Sequence, residues 1–261
     1  MTILDEISDH AKERVACAKD QISTEEMKNL AYEKERGEFP FEQALRKDGL
    51  SFILECKKAS PSKGIIADDF PYLQIAKDYE TAGCDAISVL TEPKWFLGQN
   101  EYLREIASAV SVPVLRKDFV VDEYMIYEAK TLGAAAVLLI VSILTGEQLE
   151  HYLRICEDIG LSALVEVHDK TEARTAVKAG AGIIGVNNRN LKDFSVDTQN
   201  AAGLREEIPS NVLFVSESGV KTPEDIRKVN AYRADAVLIG ETLMRAADKT
   251  AALQRLRGDI G

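Results

Sequence analysis

The chain has 261 residues, of which 46% are hydrophobic and 29% are charged, so it can bury a large core as one or two domains. Its formal net charge of -11 argues against nucleic acid or an anionic membrane as the main partner, because both require a basic protein face. An anionic small molecule stays compatible with this charge, since a site can be locally basic in an acidic protein.

The N-terminal part of the chain, up to about Gly49, is predicted to be helical. Apolar residues between Ile3 and Ala18 recur at helical spacing, and a second helix begins at Ser23, where "STEE" carries a capping signal. The acidic first residues contain no apolar stretch of the kind that targets or spans a membrane. We therefore expect a helical extension over residues 1–49 and a cytoplasmic protein.

After Gly49 the pattern changes to short apolar runs that alternate with amphipathic helical stretches, as in proteins with a buried parallel sheet. The polar residues that end these runs recur every 21 to 35 positions, which suits one strand-helix unit. Eight units predict an α/β fold, a (β/α)8 TIM barrel, better than a doubly wound sheet of five or six strands. No linker marks a second domain, so we expect a single domain over residues 1–261. The eight runs are "SFILEC", "AISVLTE", "VPVLRKD", "AAVLLIVS", "SALVEV", "GIIGVNN", "NVLFVSE" and "AVLIGE".

The first predicted strand runs directly into charged residues, in "LECKKASPSKG". Side chains alternate along a strand, so Glu55 and Lys57 point to the same face. An exposed ion pair at the edge of an antiparallel sheet is the ordinary explanation of such a pair in isolation. In a parallel barrel, inward-facing residues at the carboxyl ends of the strands converge on the active site. We therefore expect this pair to face the mouth of the barrel.

Polar residues at the ends of four further strands are expected to surround the same mouth. In isolation each has an ordinary explanation, as a helix-entry charge, a solvated strand end or a polar turn. Their coincidence at one end of one barrel is hard to obtain from solvation alone and favours a catalytic site. These residues are Lys117, Glu166, Asn187, Arg189, Glu217 and Ser218.

Two turns and one long loop indicate an anion site. "SESGV" and "IGETL" follow the seventh and eighth strands, where barrels frequently bind a phosphate on backbone N–H groups. Gly219 and Gly240 permit that close approach, although plain strand-to-helix turns would explain them too. The 14-residue segment from Lys57 to Phe70 is long for a strand-helix connection and carries three lysines, which predicts a mobile lid over an anion.

The sequence contains no motif for a metal or a nucleotide cofactor. The four cysteines form no C-x-x-C, the three histidines form no H-E-x-x-H, and glycine-rich nucleotide loops are missing. We therefore expect neither metal nor organic cofactor, and the chemistry must come from Lys, Glu, Asn, Ser and Arg.

Taken in order, the strand-end motifs are "ILECKKASPSKG", "SVLTEPKWFLG", "VPVLRKDFV", "LLIVSIL", "LVEVH", "GVNNRNL", "SESGV" and "LIGETLM". They resemble the motifs of the indole-3-glycerol phosphate synthase family of tryptophan biosynthesis. The similarity runs from about residue 51 to residue 245, and the helical segment before it resembles the N-terminal extension of that family. The first motif is long and highly specific.

The resemblance implies a cofactor-independent carbon–carbon carboxy-lyase with a (β/α)8 fold. Its reaction converts 1-(2-carboxyphenylamino)-1-deoxy-D-ribulose 5-phosphate to indole-3-glycerol phosphate, CO2 and water. Ring closure and dehydration need acids and bases. A lysine is an acid near neutral pH only when desolvation or other cations lower its pKa, so we expect a lowered lysine pKa at this site.

By the same resemblance, Lys117 is the general acid of ring closure and Glu166 is its partner carboxylate. Lys57 is an acid and a ligand of the substrate anion, and Glu55 orients Lys57 or takes part in proton transfer. Asn187 holds the substrate hydroxyls. Which lysine serves which step stays open from the sequence.

The resemblance also implies three groups of binding residues. Where some family members have a small hydroxyl residue in the last phosphate turn, this chain has Glu241, so only its backbone N–H could contact a phosphate. Ser60 and Arg189 are expected near the substrate carboxylate, Ser218, Gly219, Gly240 and Glu241 near the phosphate, and Phe96, Phe119 and Leu191 in the anthranilate pocket.

Two other functions are compatible with the fold. A sugar-phosphate isomerase or epimerase would share the phosphate turns but would not need two strand-end lysines with a carboxylate between them. A barrel that binds a phosphorylated ligand without catalysis would not need to retain Lys57, Lys117, Glu166 and Asn187. We expect an anionic small molecule as partner, with no nucleic acid and no membrane, and a monomer rather than an oligomer.

Overall fold

The computed structural model describes residues 2–190 and 194–258, and its N-terminal part is helical. The helices are α1 (Ile3–Gln21), α2 (Thr24–Tyr32) and α3 (Pro40–Leu45). Ser23 caps α2 by accepting a hydrogen bond from the Glu26 N–H, as its capping signal predicts. The helical extension is therefore confirmed, and α1 continues slightly beyond the predicted Ala18.

Among the described residues, eight parallel strands close into a barrel in which each strand pairs with the next and the last pairs with the first. This confirms the predicted (β/α)8 TIM barrel. The strands are β1 (Ser51–Cys56), β2 (Ala86–Leu90), β3 (Val114–Lys117), β4 (Ala136–Ile140), β5 (Ser162–Val167), β6 (Ile183–Asn187), β7 (Leu213–Glu217) and β8 (Ala236–Ile239). The helices that follow are α4 (Tyr72–Thr81), α5 (Asn100–Ala109), α6 (Glu123–Thr131), α7 (Gly146–Ile159), α8 (Lys170–Ala179), α9 (Gln199–Leu204), α10 (Pro223–Ala231), α11 (Glu241–Arg245) and α12 (Lys249–Arg257).

Two layers of apolar side chains hold the barrel together. The larger layer lies between the strands and the surrounding helices, and the smaller one fills the interior of the barrel. Phe41 and Leu45 of α3 belong to the interior cluster and are 0% and 1% exposed. This helix therefore closes the end of the barrel opposite the carboxyl ends of the strands. The extension is thus part of the core.

Because side chains alternate along a strand, the charged residues at the strand ends share the interior face of the barrel with apolar residues two positions earlier. Ile53, Leu164 and Val215 belong to the interior cluster. The residues two positions later point to the same side of their strands, toward the carboxyl ends. They are Glu55, Glu166 and Glu217, and Lys117 follows interior Leu115 in the same way.

The connection between β1 and α4 is folded rather than extended. Ala59–Ser60 and Gly64–Ile65 pair as a short antiparallel hairpin. The backbone N–H groups of Ile66 and Ala67 both donate to the carbonyl of Lys58. Ala59 and Ser60 are buried, whereas Gly64 and Ile65 are exposed, so the second strand of the hairpin is the part exposed to solvent. The mobility predicted for this segment stays a prediction.

No helix among the described residues has both the length and the apolar character needed to cross a membrane.

Candidate active site

The strand ends enclose one cavity of about 570 Å³ at the carboxyl end of the barrel. Leu191, predicted to line the anthranilate pocket, lies outside the described residues. All other candidate residues line this cavity: Glu55, Lys57, Ser60, Phe96, Lys117, Phe119, Glu166, Asn187, Arg189, Glu217, Ser218, Gly219, Gly240 and Glu241.

Lys117 lies between two buried glutamates. Its Nζ is 2.5 Å from Glu217 Oε2 and 3.2 Å from Glu166 Oε2. The glutamate side chains are only 2% and 4% exposed, and that of Lys117 is 13% exposed. The Lys117 ammonium is therefore largely shielded from bulk water, and carboxylates from two other strands, β5 and β7, hold it in place.

The two carboxylates reverse the expected pKa shift of Lys117. Burial alone favours the neutral amine, but the charges of Glu217 and Glu166 outweigh it and raise the pKa of Lys117. The expectation of a lowered lysine pKa is therefore wrong here, because the closest charges are negative. Lys117 is therefore protonated at neutral pH.

The two carboxylates differ from each other in proton affinity. Burial raises the pKa of Glu217; Lys117 opposes this and Glu166 adds to it, so that the pKa is about 7. For Glu166, burial is outweighed by Lys117 and His168, which lower its pKa below the ordinary value. The two environments thus separate the pKa values of the carboxyl groups. Glu166 stays charged at neutral pH, whereas Glu217 can exchange a proton near neutral pH.

His168, the residue directly after β5, also contributes to the site, although the sequence analysis did not single it out. Its Nε2 lies 3.4 Å from Glu166 Oε1, and its Nδ1 lies 3.1 Å from Glu172 Oε2. Burial would lower its pKa, but the neighbouring carboxylates of Glu166 and Glu172 raise it to about 10. His168 is therefore a cation that supports the ionised form of Glu166 from outside the cavity.

Lys57 and Glu55 form the second charged pair of the cavity. Lys57 Nζ lies 2.5 Å from Glu55 Oε1, as their shared strand face predicts. Gly240, at the end of β8, leaves room for this pair, because a Cβ there would be 2.5 Å from Glu55 Oε1 and 3.0 Å from Lys57 Nζ. The glycine predicted to approach a phosphate thus also makes space for the ion pair.

Gly185 in β6 has a similar role that the sequence reasoning missed. A Cβ at this inward-facing position would overlap Glu217 Oε1 and lie 3.2 Å from its Cδ. The glycine therefore sets the position of the carboxylate that contacts Lys117. Its sequence signal, a lone glycine within a β-branched strand, indicates close approach of another group but not which one.

Asn187 connects β6 to the turn after β7. Its Oδ1 accepts hydrogen bonds from Ser218 Oγ at 2.9 Å and from the Arg189 N–H at 3.0 Å. Ser218 has a φ of 66° and Gly219 a φ of 93°, so the turn presents two consecutive left-handed residues. Successive N–H groups in such turns form concave anion sites. Arg189 donates to the carbonyl of Phe194 at 3.2 Å.

The turn after β8 is connected to the turn after β7. Thr242 Oγ1 donates to the carbonyl of Val220 at 3.0 Å. The Glu241 carboxylate contacts Arg245 at 3.1 Å and Lys63, in the long loop, at 4.0 Å. Both contacts direct the carboxylate toward cations, as required if only the backbone of Glu241 faces an anion.

One wall of the cavity is aromatic. The rings of Phe96 and Phe119 lie 5.9 Å apart between centroids. Ile3, Leu4 and Ile7 of α1 also line the cavity, a role that the helical pattern of these residues did not indicate. The extension thus contributes directly to the site.

No group of three or more His, Cys, Asp or Glu side chains is placed to hold a metal ion within residues 2–190 and 194–258.

Solved structures with low sequence identity share the fold. A crystal structure of 3-hexulose-6-phosphate synthase matches with a TM-score of 0.65 at 17% identity, covering 81% of this chain and 100% of that one. A structure of phosphoribosylanthranilate isomerase from Thermotoga maritima matches with a TM-score of 0.58 at 16% identity, covering 80% and 100%. At such identities these similarities support the barrel alone.

Sequence comparisons are more specific. The family model described as indole-3-glycerol phosphate synthase matches residues 4–256. An indole-3-glycerol phosphate synthase of Ruminiclostridium cellulolyticum is 52% identical over 257 residues, which is 98% of this chain and 99% of that protein. One of Leuconostoc mesenteroides subsp. mesenteroides is 54% identical over 224 residues, covering 85% and 86%. Since the family model and these relatives match the barrel together with its helical extension, the chain belongs to the indole-3-glycerol phosphate synthase family.

Proposed function

We propose that this protein catalyses the reaction for which its family is named. It converts 1-(2-carboxyphenylamino)-1-deoxy-D-ribulose 5-phosphate to indole-3-glycerol phosphate, CO2 and water. The observation that carries the proposal is the half-buried Lys117 between the buried carboxylates of Glu166 and Glu217, in a cavity with an aromatic wall and two glycine turns.

In this proposal the phosphate binds at the turns after β7 and β8. Gly219 and Gly240 offer backbone N–H groups there, and the Ser218 hydroxyl, which donates to Asn187, holds the first of these turns in place. The aromatic ring packs against Phe96 and Phe119, and its carboxylate is held by Arg189 and Ser60. Anchors at both ends of the substrate bring the ring carbon and the ketone together, which converts binding energy into a favourable reaction geometry.

Ring closure forms a bond between the carboxylate-bearing ring carbon and the ketone carbon. The ketone oxygen then takes a proton from Lys117 and becomes a hydroxyl. An alkoxide is a stronger base than an amine, so an ammonium with a raised pKa can still deliver this proton. Glu166, kept ionised by its two cationic neighbours, holds the ammonium in place.

Loss of CO2 and water completes the reaction. The C–CO2 bond breaks, and its electron pair restores the aromatic ring. The new hydroxyl then leaves as water with a proton from Lys57, while a carboxylate removes the proton whose loss creates the indole double bond. Glu217 suits this base because its pKa is about 7, and Glu55 orients Lys57 at 2.5 Å. Asn187 holds the substrate hydroxyls.

The direct test is to mix the purified protein with the carboxyphenylamino-deoxyribulose phosphate and follow indole fluorescence, with CO2 release measured in parallel. Lys117→Gln serves as the inactive control. Tight binding without product would refute the proposed reaction and favour a non-catalytic ligand-binding barrel. A different sugar-phosphate product would favour an isomerase or epimerase.

We also propose that the protein acts as a cytoplasmic monomer, which sedimentation and cell fractionation would test.

A further inference from the structure

Glu92 is a fully buried carboxylate that the proposed reaction does not use. It follows β2, is 0% exposed and does not line the active-site cavity. Its Oε2 accepts hydrogen bonds from the N–H groups of Trp95 at 2.7 Å and Phe96 at 3.0 Å, and its Oε1 accepts one from Lys94 at 3.0 Å. Three consecutive backbone donors thus converge on one carboxylate.

The loop around this carboxylate is held tightly at its other end as well. The N–H of Gly98 donates to the backbone carbonyl of Glu92 at 2.8 Å. A Cβ at Gly98 would overlap the carbonyl of Leu90, and Leu97 adopts a left-handed φ of 53°. Backbone strain of this kind persists only where surrounding contacts determine the conformation. The carboxylate and the backbone carbonyl of Glu92 supply such contacts on the two sides of Leu97, to the N–H groups of Phe96 and Gly98.

Phe96 is the residue of this loop whose ring faces the cavity, beside Phe119. Its backbone N–H is one of the three donors bound by Glu92. Phe119, the other aromatic residue of this wall, is held in the same way, because its N–H donates at 2.8 Å to Asp118, another carboxylate with 0% exposure. Each aromatic residue of the wall is therefore fixed through its backbone by a buried carboxylate.

We propose that Glu92 is a positioning residue that determines affinity for the aromatic ring of the substrate, acting through the backbone of Phe96. The proposal rests on the proposed function, in which Phe96 and Phe119 contact that ring. A charged acceptor suits this role because hydrogen bonds to an ionised group are stronger than neutral ones and hold the loop in one conformation. Glu92 itself takes no part in proton transfer.

Glu92→Gln is the first variant to test. It preserves the shape of the side chain but replaces one acceptor oxygen with an NH2 group that faces backbone donors. We expect about tenfold weaker binding of free 2-aminobenzoate and about tenfold higher KM, as for loss of a charge-assisted hydrogen bond. Binding of glycerol 3-phosphate and kcat should stay within about twofold, because the phosphate turns and Lys117 are untouched.

The loop provides its own spectroscopic probe. Trp95 is the single tryptophan of the chain and lies between the two donors Lys94 and Phe96. Its ring contacts His10 of α1 at 5.4 Å between centroids, and His10 Nδ1 lies 3.5 Å from Glu92 Oε1. The emission of Trp95 should therefore change in folded Glu92→Gln protein.

Glu128→Gln is the matched control. Glu128 pairs with fully buried Arg116 at 2.7 Å but does not line the cavity. This variant should lower thermal stability while leaving the affinities for 2-aminobenzoate and glycerol 3-phosphate unchanged. If Glu92→Gln does not fold, Glu92→Asp, which retains the charge on a shorter side chain, is measured in the same assays.

A double-mutant cycle with Phe96→Ala decides whether Glu92 acts through Phe96. We expect the effect of Glu92→Gln on 2-aminobenzoate binding to disappear in the Phe96→Ala background. Equal losses in both backgrounds, parallel loss of both ligands, or unchanged ring affinity would each overturn the inference. Failure of the wild type to form indole would instead refute the proposed function, while the ring-binding comparison would still be measurable.

Discussion

Replacing Gly185 by alanine tests whether the position of Glu217 controls the chemistry. Gly185 lies on the inner face of β6, where a new Cβ would overlap Glu217 Oε1, approach Glu217 Cδ to 3.2 Å and approach Leu164 Cδ1 to 3.1 Å. The neighbouring strands are buried and paired, so the backbone cannot retreat easily. The carboxylate is the group most able to move.

The expected loss of activity follows from that movement. Carbon and oxygen atoms in ordinary contact are roughly 3.5 Å apart, so Glu217 Oε1 must retreat by about 1 Å or more. The same rotation changes the 2.5 Å contact between Glu217 Oε2 and Lys117 Nζ. Misplacement of a reacting group by about 1 Å can lower the rate about 10²-fold. We therefore expect kcat to fall by about that factor, with KM changed far less.

Steady-state kinetics with the fluorescent product provide the assay. Gly203→Ala is the control, because Gly203 lies in α9 without a positive φ, and a new Cβ there would meet no neighbouring atom within 4 Å. It should retain full activity and gain a little stability from the less flexible unfolded chain. A folded Gly185→Ala protein with wild-type kcat would refute the assigned role of Glu217.

Four further predictions concern the catalytic groups, the loop and the cofactor requirement. Lys117→Gln should lower kcat by about 10²-fold or more, whereas Arg189→Ala should mainly raise KM, because in the proposed mechanism only the lysine supplies a proton. A wild-type kcat in the Lys117 variant would reduce Lys117 to a substrate ligand. Because the pKa of Glu217 is raised to about 7, its basic form is lost as the pH falls through that value, so kcat/KM should decline below about pH 7, and Glu217→Gln should lack this acidic limb. Amide hydrogens at residues 62–64 should exchange faster than those of the barrel strands and slow on binding of a substrate analogue; equal, unchanging protection would indicate a fixed loop. Dialysis against a chelator should leave turnover unchanged, and a tenfold loss restored by Mg²⁺ or Zn²⁺ would contradict the absence of a metal requirement.

The positions of the charged side chains at the strand ends could be predicted because barrel topology leaves little freedom. Once alternation identifies Ile53 and Leu164 as interior residues, Glu55 and Glu166 must lie above them on the same face. Parallel closure then brings the ends of all strands to one mouth. Neither step requires knowledge of side-chain conformation, so the periodicity of the sequence was sufficient to place these residues at the mouth of the barrel.

Contacts made by the loops and by α1 could not be predicted in the same way. The alternation that identifies Glu55 also makes Glu92 the polar end of a strand, yet β2 ends at Leu90 and the carboxylate turns away to bind its own loop. Nothing in the helical pattern of Ile3 and Ile7 distinguishes a side chain that packs on the barrel from one that lines the cavity. Such outcomes depend on tertiary contacts outside the repeating unit.

The pKa of Lys117 shows why correct positions did not lead to a correct charge balance. The sequence places Lys57 and Lys117 at the same mouth, which favours mutual lowering of their pKa values. In the structure Lys57 is paired with Glu55, and Lys117 is closest to Glu217, whose reach depends on the space left by Gly185. A difference of a few ångströms decides which charge dominates, since electrostatic interactions strengthen steeply at short distance in a buried site. The lysine is therefore firmly protonated, and the group whose pKa lies near neutral pH is the carboxylate of Glu217.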